Sequence, residues 1–110
     1  PEALFNPSLL GLNSKGLHEV VIEAAMKSDE TIRGELFKNI VLSGGSAQFR
    51  GLKARLEKEL RKLTDFEVNV EIESNPNFTT WLGSSKISQR NDFEGRMISL
   101  ETYEMIGAGI

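Results

Sequence analysis

The segment most suited to ligand chemistry runs from Asn39 to Gly51 and reads Asn-Ile-Val-Leu-Ser-Gly-Gly-Ser-Ala-Gln-Phe-Arg-Gly. Its pattern indicates a strand, a glycine turn and the approach to a helix. Ligands of open α/β sheets bind outside the carboxyl ends of the strands, which is where such a turn lies. Because glycine has no side chain, a flat ring could lie against the backbone of Gly44 and Gly45, with Phe49 as an apolar edge. The alternative is a tight turn that binds nothing.

Other kinds of site are excluded by what this turn and the rest of the chain lack. No Gly-Lys-Ser/Thr follows the glycines, and their spacing differs from the dinucleotide-binding fingerprint. The chain has no cysteine and a single histidine, His18, which helical periodicity places on a polar face as a solvated side chain. Glu71 and Glu73 have no partner acid or base and indicate a solvated strand face. We therefore predict no catalytic residue and no metal site.

Two strands and a helix must position the glycine turn. Ile40, Val41 and Leu42 form an unbroken apolar run, which favours a strand buried on both faces, as parallel strands are. Apolar and polar residues alternate over Phe66–Glu73, which predicts a second strand with one polar face. The helix between the strands has leucines along one face. A strand–helix–strand unit of this kind is a right-handed crossover with parallel strands.

Further helices flank this unit. We predict a first helix over about Gly16–Lys27, capped by Asn13 or Ser14, and a second helix capped by Ser28. A helix over about Thr79–Arg90 and a short one over about Leu100–Ile106 follow the second strand. The predicted order is helix, helix, strand, helix, strand, helix, helix, which is an α/β arrangement.

The opening segment, residues 1–12, mixes apolar residues with Pro7 and Gly11 and reads as an ordered loop. Two interpretations remain open from the residues alone. Its apolar side chains pack on the core, or its tip is exposed for contact with a partner. The tip consists of Ser8, Leu9, Leu10 and Gly11.

Composition limits the classes of protein and of partner. A chain of 110 residues has the length of one domain, and its 13 basic and 16 acidic residues give a net charge of −3, which argues against nucleic acid or an anionic membrane as a partner. No apolar run approaches the ~20 residues of a membrane span. Two strands alone make a poor sheet with unpaired edges. Together with a first residue that is Pro1 rather than Met, this predicts a piece of a larger α/β domain.

Several motifs, in the same order along the chain, resemble the actin and actin-related protein family. Asn39–Gly45 resembles the adenosine-binding turn of that family. The other matching motifs are Pro1-Glu-Ala-Leu-Phe5 with Pro7-Ser8 and Gly11 before the loop called the hydrophobic plug, Gly16-Leu-His-Glu19 at the next helix, and Trp81-Leu-Gly-Ser-Ser85, similar to Trp-Ile-Gly-Gly-Ser. The match covers essentially the whole chain, with one short deletion near Phe66 or Asn75.

The resemblance implies a partial actin-like, ribonuclease H-like fold, which the family shares with sugar kinases and heat-shock chaperones. Residues 1–110 would form the C-terminal part of an actin-like ATPase domain, in the subdomain 3 region of its large domain. The first strands of that domain and both phosphate loops would be absent. Since those loops and the magnesium site supply the electrostatics of phosphoryl transfer, we expect this chain alone not to hydrolyse ATP.

The resemblance also assigns candidate site residues. Gly44, Gly45 and Ser46 match the backbone on the adenine side of the ATP cleft, so the implied cofactor is ATP, held here by its adenine only. Phe49 stands where most members of the family have tyrosine, and Asn77 stands where actin places a lysine against the nucleotide. Three positions that are aliphatic in the partner-binding cleft of actin carry charge in this chain, namely Lys86, Arg90 and Arg96.

Three functional hypotheses follow from the resemblance. The first is a cytoskeletal, filament-forming actin-like protein, in the cytoplasm, whose partners are other actin-like subunits, actin-binding proteins and the remainder of its own domain, with no nucleic acid and no membrane. The resemblance assigns residues 8–11, the tip of the opening segment, to the tip of the hydrophobic plug. This plug tip, if exposed, would then make partner contacts. The second is an actin-related structural subunit of a chromatin-remodelling or actin-nucleation complex, nuclear in the former case. The third, a metabolic kinase of the same superfamily, is disfavoured by the motifs at Trp81 and Pro1–Phe5.

Overall fold

The structure, a computed structural model, describes residues 2–107. The helices and strands follow the predicted order. They are α1 (Leu17–Met26), α2 (Glu30–Lys38), β1 (Ile40–Leu42), α3 (Leu52–Leu63), β2 (Val70–Ile72), α4 (Thr79–Ser88) and α5 (Leu100–Ile106). Short 3-10 helices lie at Glu2–Leu4, Pro7–Leu10, Gly45–Gln48 and Glu94–Arg96.

The chain divides into two compact units, one ending at Thr79 and the other beginning at Thr80. The first contains α1, α2, α3 and both strands, and the second contains α5 and nearly all of α4. None of the helices described between residues 2 and 107 is long and apolar enough to cross a membrane.

The two strands are parallel, as the strand–helix–strand pattern predicts. Ile40 pairs with Val70 and Leu42 with Ile72, so these four side chains lie on one face of the sheet. The prediction of a strand over Phe66–Glu73 is wrong in length, because β1 offers only three residues with which to pair. Of the alternating apolar residues, Val68 and Val70 are buried, whereas Phe66 and Ile72 are each 39% exposed, so the alternation predicts burial only in the middle of the segment.

The core lies against one face of this sheet. Its buried members include Phe37, Leu52, Leu56, Leu60 and Val70, and Ile40 and Leu42 pack on them. The prediction that β1 is buried on both faces is wrong, because the side chain of Val41 points to the other face and is 53% exposed. In the part of the chain that the structure describes, the hydrophobic core covers only the face of Ile40 and Leu42.

Helix α3 connects the two strands and carries the amphipathic pattern expected of it. Leu52, Leu56 and Leu60 are buried, whereas Leu63 is half exposed. On the polar side of the helix, Glu57 pairs with Arg61 and Glu59 pairs with Lys62, at N–O distances of 3.6 and 2.7 Å. Both ion pairs have a spacing, i to i+4 and i to i+3, at which side chains of a helix are neighbours.

The caps of α1 and α2 differ from the predicted ones. Helix α1 begins after Gly16, whose amide donates to Glu19 Oε2 at 2.7 Å, so neither Asn13 nor Ser14 caps it. Helix α2 is capped by Asp29, whose Oδ1 accepts from the amide of Thr31 at 2.9 Å, and not by Ser28. In each case the capping group lies within a residue or two of the helix start, where the unpaired amides are.

His18 is half-buried, which corrects the prediction of a solvated histidine. The opening segment folds back over α1, and the rings of Phe5 and His18 lie 5.8 Å apart between centroids. This fold-back also explains the buried Gly16, since a Cβ there would collide with the backbone carbonyl oxygen of Phe5. Helical periodicity could not reveal this contact, because it comes from outside the helix.

Candidate functional site

The glycine turn closes against the segment that follows β2. Gly44 has φ +85° and ψ 168°, a conformation that only glycine adopts without strain. Its amide donates to the carbonyl oxygen of Pro76 at 2.6 Å. Pro76 is itself buried. The hydrogen bond joins the turn after β1 to the residues after β2, so both lie at one end of the sheet. Because the strands are parallel, this end is the carboxyl end of both strands.

The surface of the turn is open. A Cβ built on Gly44 meets no atom within 4 Å, and one built on Gly45 meets only Asn77 Oδ1, at 3.4 Å. Gly44, Gly45 and Asn77 are all exposed. The turn is therefore a backbone shelf with the Asn77 amide beside it, and it is not filled by side chains of its own.

Ser46 and Phe49 lie in and just after the 3-10 helix that continues the turn. Ala47 is buried and anchors this helix, while Ser46 is exposed. The amide of Phe49 donates to the carbonyl oxygen of Ser46 at 3.1 Å. Phe49 lines a cleft of about 170 Å³, and the shelf glycines are not part of that lining. The other lining residues are Glu2, Phe5, Arg50, Gly51, Leu52 and Arg55. The structure thus joins Gly44, Gly45 and Asn77, and it does not place Phe49 over them.

The shelf suits an uncharged flat ligand. Neither Gly44 to Phe49 nor Asn77 carries an ionisable side chain. Backbone atoms and the Asn77 amide can donate and accept hydrogen bonds at a ring edge. Nothing in this turn would neutralise a phosphate. In the described range, residues 2–107, no three side chains of His, Cys, Asp or Glu come together as a metal-binding group.

The opening segment presents its tip to solvent. Pro7–Leu10 form a 3-10 helix that ends at Gly11, and the side chains of Leu9 and Leu10 are 61% and 67% exposed. Ser8 and Gly11 are exposed as well. Of the two interpretations of this segment, packing on the core is therefore wrong for the tip, although Phe5 is a buried member of the core.

Two networks fix this segment to the helices, and neither was predicted. Arg55 donates to both carboxylate oxygens of Glu2, at 2.8 and 3.2 Å, and its guanidinium lies 5.1 Å from the centre of the Phe5 ring. The hydrogen bond to Glu2 raises the pKa of Arg55. Glu2 and Arg55 are 53 residues apart, so no local sequence pattern could have paired them.

The second network ties Lys15, just before α1, to the helix itself. Glu23 accepts from Lys15 Nζ at 2.6 Å and lies 3.0 Å from Lys27 Nζ. The hydrogen bond from Lys15 is the main reason that the pKa of Glu23 falls from 4.5 to about 2, and Lys27 adds to it. The connection between the plug tip and α1 is thus held by an ion pair at neutral pH.

The second unit holds the charged positions singled out in the sequence. Arg90 and Arg96 both donate to the carboxylate of Asp92, with the shortest contact, 2.8 Å, from Arg96. These hydrogen bonds, that of Arg96 first, lower the pKa of Asp92. Helix α4 ends at Ser88, so the helix predicted over about Thr79–Arg90 is two residues shorter than expected and Arg90 lies beyond its end. The single carboxylate of Asp92 therefore compensates only part of the charge of the two arginines, and both remain exposed.

Comparison with protein families agrees with the motifs of the sequence. The model of the family described as actin matches residues 1–110, the full length of the chain. The parallel strand–helix–strand unit, the glycine turn at the carboxyl end of β1 and the exposed plug tip all lie within that match. The chain belongs to the actin family.

Proposed function

We propose that Gly44, Gly45 and Ser46, with Asn77 beside them, form the adenine side of an ATP cleft in an actin-like protein. The observation that carries the proposal is the sterically open shelf at the carboxyl ends of two parallel strands. The hydrogen bond from the Gly44 amide to the Pro76 carbonyl oxygen holds its two sides together. An adenine ring needs a flat, sterically open surface with a few hydrogen-bonding groups at its edge. The shelf has these properties, whereas Phe49 lies outside the shelf and lines the neighbouring cleft.

The same proposal includes a larger domain of ribonuclease H-like fold, of which residues 1–110 are the C-terminal part. The two-stranded sheet supports this, because Val41 is exposed on one face of β1. On the other face, an apolar groove of about 330 Å³ lies beside the strand, and its lining includes Val21, Ala24, Leu36 and Ile40. A further strand would pair with the outer edge of β1, and other elements of the larger domain would cover the exposed face of Val41 and the groove.

ATP hydrolysis in this proposal depends on parts of the domain other than this chain. The shelf has no cation for the phosphates, and phosphoryl transfer requires such charges together with magnesium. The chain would therefore orient the base, while other residues bind the triphosphate and the metal ion. For this reason we do not propose that residues 1–110 are an enzyme by themselves.

For the biological role, we propose a cytoskeletal, filament-forming protein of the cytoplasm. The exposed leucines of the plug tip support a contact with neighbouring subunits, since apolar side chains at a loop tip gain by burial at an interface. The runner-up is an actin-related structural subunit of a larger complex, nuclear if that complex acts on chromatin. The exposed charges of Arg90 and Arg96 favour it, because apolar partner helices would have to desolvate them.

Nucleotide binding and assembly of the intact protein test these proposals separately. A fluorescent ATP analogue should bind the intact protein and be displaced by ATP, and ATP-loaded protein should sediment as filaments. Absence of nucleotide binding would contradict the cleft. Binding without filaments, in a protein that purifies in a stable complex, would favour the runner-up.

A further inference from the structure

In the described residues, the outer edges of the two strands differ in which side chains bind their backbone groups. Asn69 faces β1, since its amide donates to the carbonyl oxygen of Phe37 at 3.0 Å and its carbonyl accepts from the amide of Ile40 at 3.3 Å. Backbone groups of successive strand residues point to opposite edges of the sheet. The polar groups of Val68 and Val70 therefore point away from β1, to an edge at which no further strand lies in the described residues.

Two side chains of α3 occupy that edge. The amide of Val70 donates to Glu57 Oε1 at 3.2 Å, and the carbonyl oxygen of Val68 accepts from Arg61 at 3.1 Å. The second carboxylate oxygen of Glu57 lies 3.6 Å from Arg61, so the two side chains also pair with each other. The Glu57 side chain is only 17% exposed, which favours a fixed contact over a solvated one.

We infer that the Glu57–Arg61 pair is an edge lock that prevents β2 from pairing with a strand of a second copy of this chain. A second copy that paired with β2 at Val68 and Val70 would first have to displace Glu57 and Arg61 from the two backbone groups that these side chains already bind. Hydrogen bonds with a charged partner are stronger than the neutral bonds that would replace them.

A two-stranded sheet has two outer edges at which another strand could pair, and the Glu57–Arg61 pair binds backbone groups at only one of them. An exposed edge strand is a template for pairing with other chains. In the described part of the chain, no side chain makes a hydrogen bond to the backbone of Val41, which faces the outer edge of β1. The lock on β2 therefore directs strand addition to β1, whatever strand is added there.

Disulfide trapping between copies tests the lock directly. The chain has no cysteine, so a single Glu71→Cys substitution on the exposed face of β2 reports when two β2 strands meet. We expect Glu57→Ala with Arg61→Ala to raise the yield of disulfide-linked dimer in glutathione buffer about fivefold or more, the factor that one net hydrogen bond contributes. The matched control is Glu59→Ala with Lys62→Ala, an ion pair on the same helix that does not contact β2.

The control should leave the dimer yield at that of Glu71→Cys alone. Equal yields from the lock variant and the control would overturn the inference. A local measurement covers the case in which the double variant does not fold. Hydrogen exchange of the Val70 amide should be faster in Glu57→Ala than in Glu57→Gln, since glutamine keeps an oxygen that can accept the bond. Equal exchange in these two variants would also overturn the inference.

Discussion

A valine in place of Gly45 should separate nucleotide binding from folding. A Cβ at this position meets only Asn77 Oδ1, at 3.4 Å, so the added side chain projects into the open space above the shelf. That is the space in which the proposal places the adenine ring. The substitution should therefore weaken ATP binding by the intact protein and leave its fold unchanged.

The magnitude follows from the area of the ring that the shelf would cover. One face of adenine has on the order of 50–100 Å², and burial at about 25 cal/mol per Å² contributes about 1–2.5 kcal/mol. Loss of that contact corresponds to a rise of about 5- to 70-fold in Kd. Since Gly45 is exposed, we expect the free energy of unfolding to change by no more than about 0.5 kcal/mol.

The assay is displacement of a fluorescent ATP analogue from the intact protein, with denaturant unfolding measured in parallel. Gly95→Val is the matched control, because Gly95 also lies in a 3-10 helix and a Cβ built on it meets nothing within 4 Å. The control should bind ATP as the wild-type protein does. An unchanged Kd in Gly45→Val, with both variants folded, would refute the assignment of the shelf.

Three further predictions follow from the described contacts. Gly16→Ala should destabilise the chain by about 1–3 kcal/mol in denaturant unfolding, because a Cβ there collides with the carbonyl oxygen of Phe5; full stability would contradict the tight approach. Measured by NMR, the pKa of the Glu23 carboxyl should be about 2 and should rise towards 4.5 in Lys15→Met. Because the pKa is lowered in the folded state, the contribution of this ion pair to stability is complete above about pH 4.5 and declines as the pH falls towards 2. An ordinary pKa of Glu23 in the wild-type protein would refute the ion pair. In titration calorimetry, residues 1–110 alone should bind ATP more weakly than about micromolar or not at all, because the phosphate contacts are proposed to lie elsewhere; micromolar affinity would contradict that division.

Local patterns were sufficient to predict the architecture around the site. The leucine spacing of α3 predicted its buried face, and the strand–helix–strand order predicted parallel strands, which are present. The glycine pair in Asn39–Gly51 marked the turn, because few other residues permit such a backbone. These features depend on residues close together in the chain.

Features that depend on distant contacts could not be predicted from the sequence. The length of β2 is set by its partner, since β1 offers only three residues. The exposure of Val41 depends on which face of the sheet is covered, and the half-buried state of His18 depends on Phe5 folding back over α1. The hydrogen bond between Gly44 and Pro76 joins residues that follow two different strands, so no local sequence pattern predicts it.

Photolabelling of the intact protein with an ATP analogue that carries an azide on the adenine ring tests the central claim most directly. The account predicts that the label is found in the peptides containing Gly44–Phe49 and Asn77, and that excess ATP prevents the labelling. Specific, ATP-competed labelling confined to other peptides would contradict the assignment of the glycine turn to the adenine.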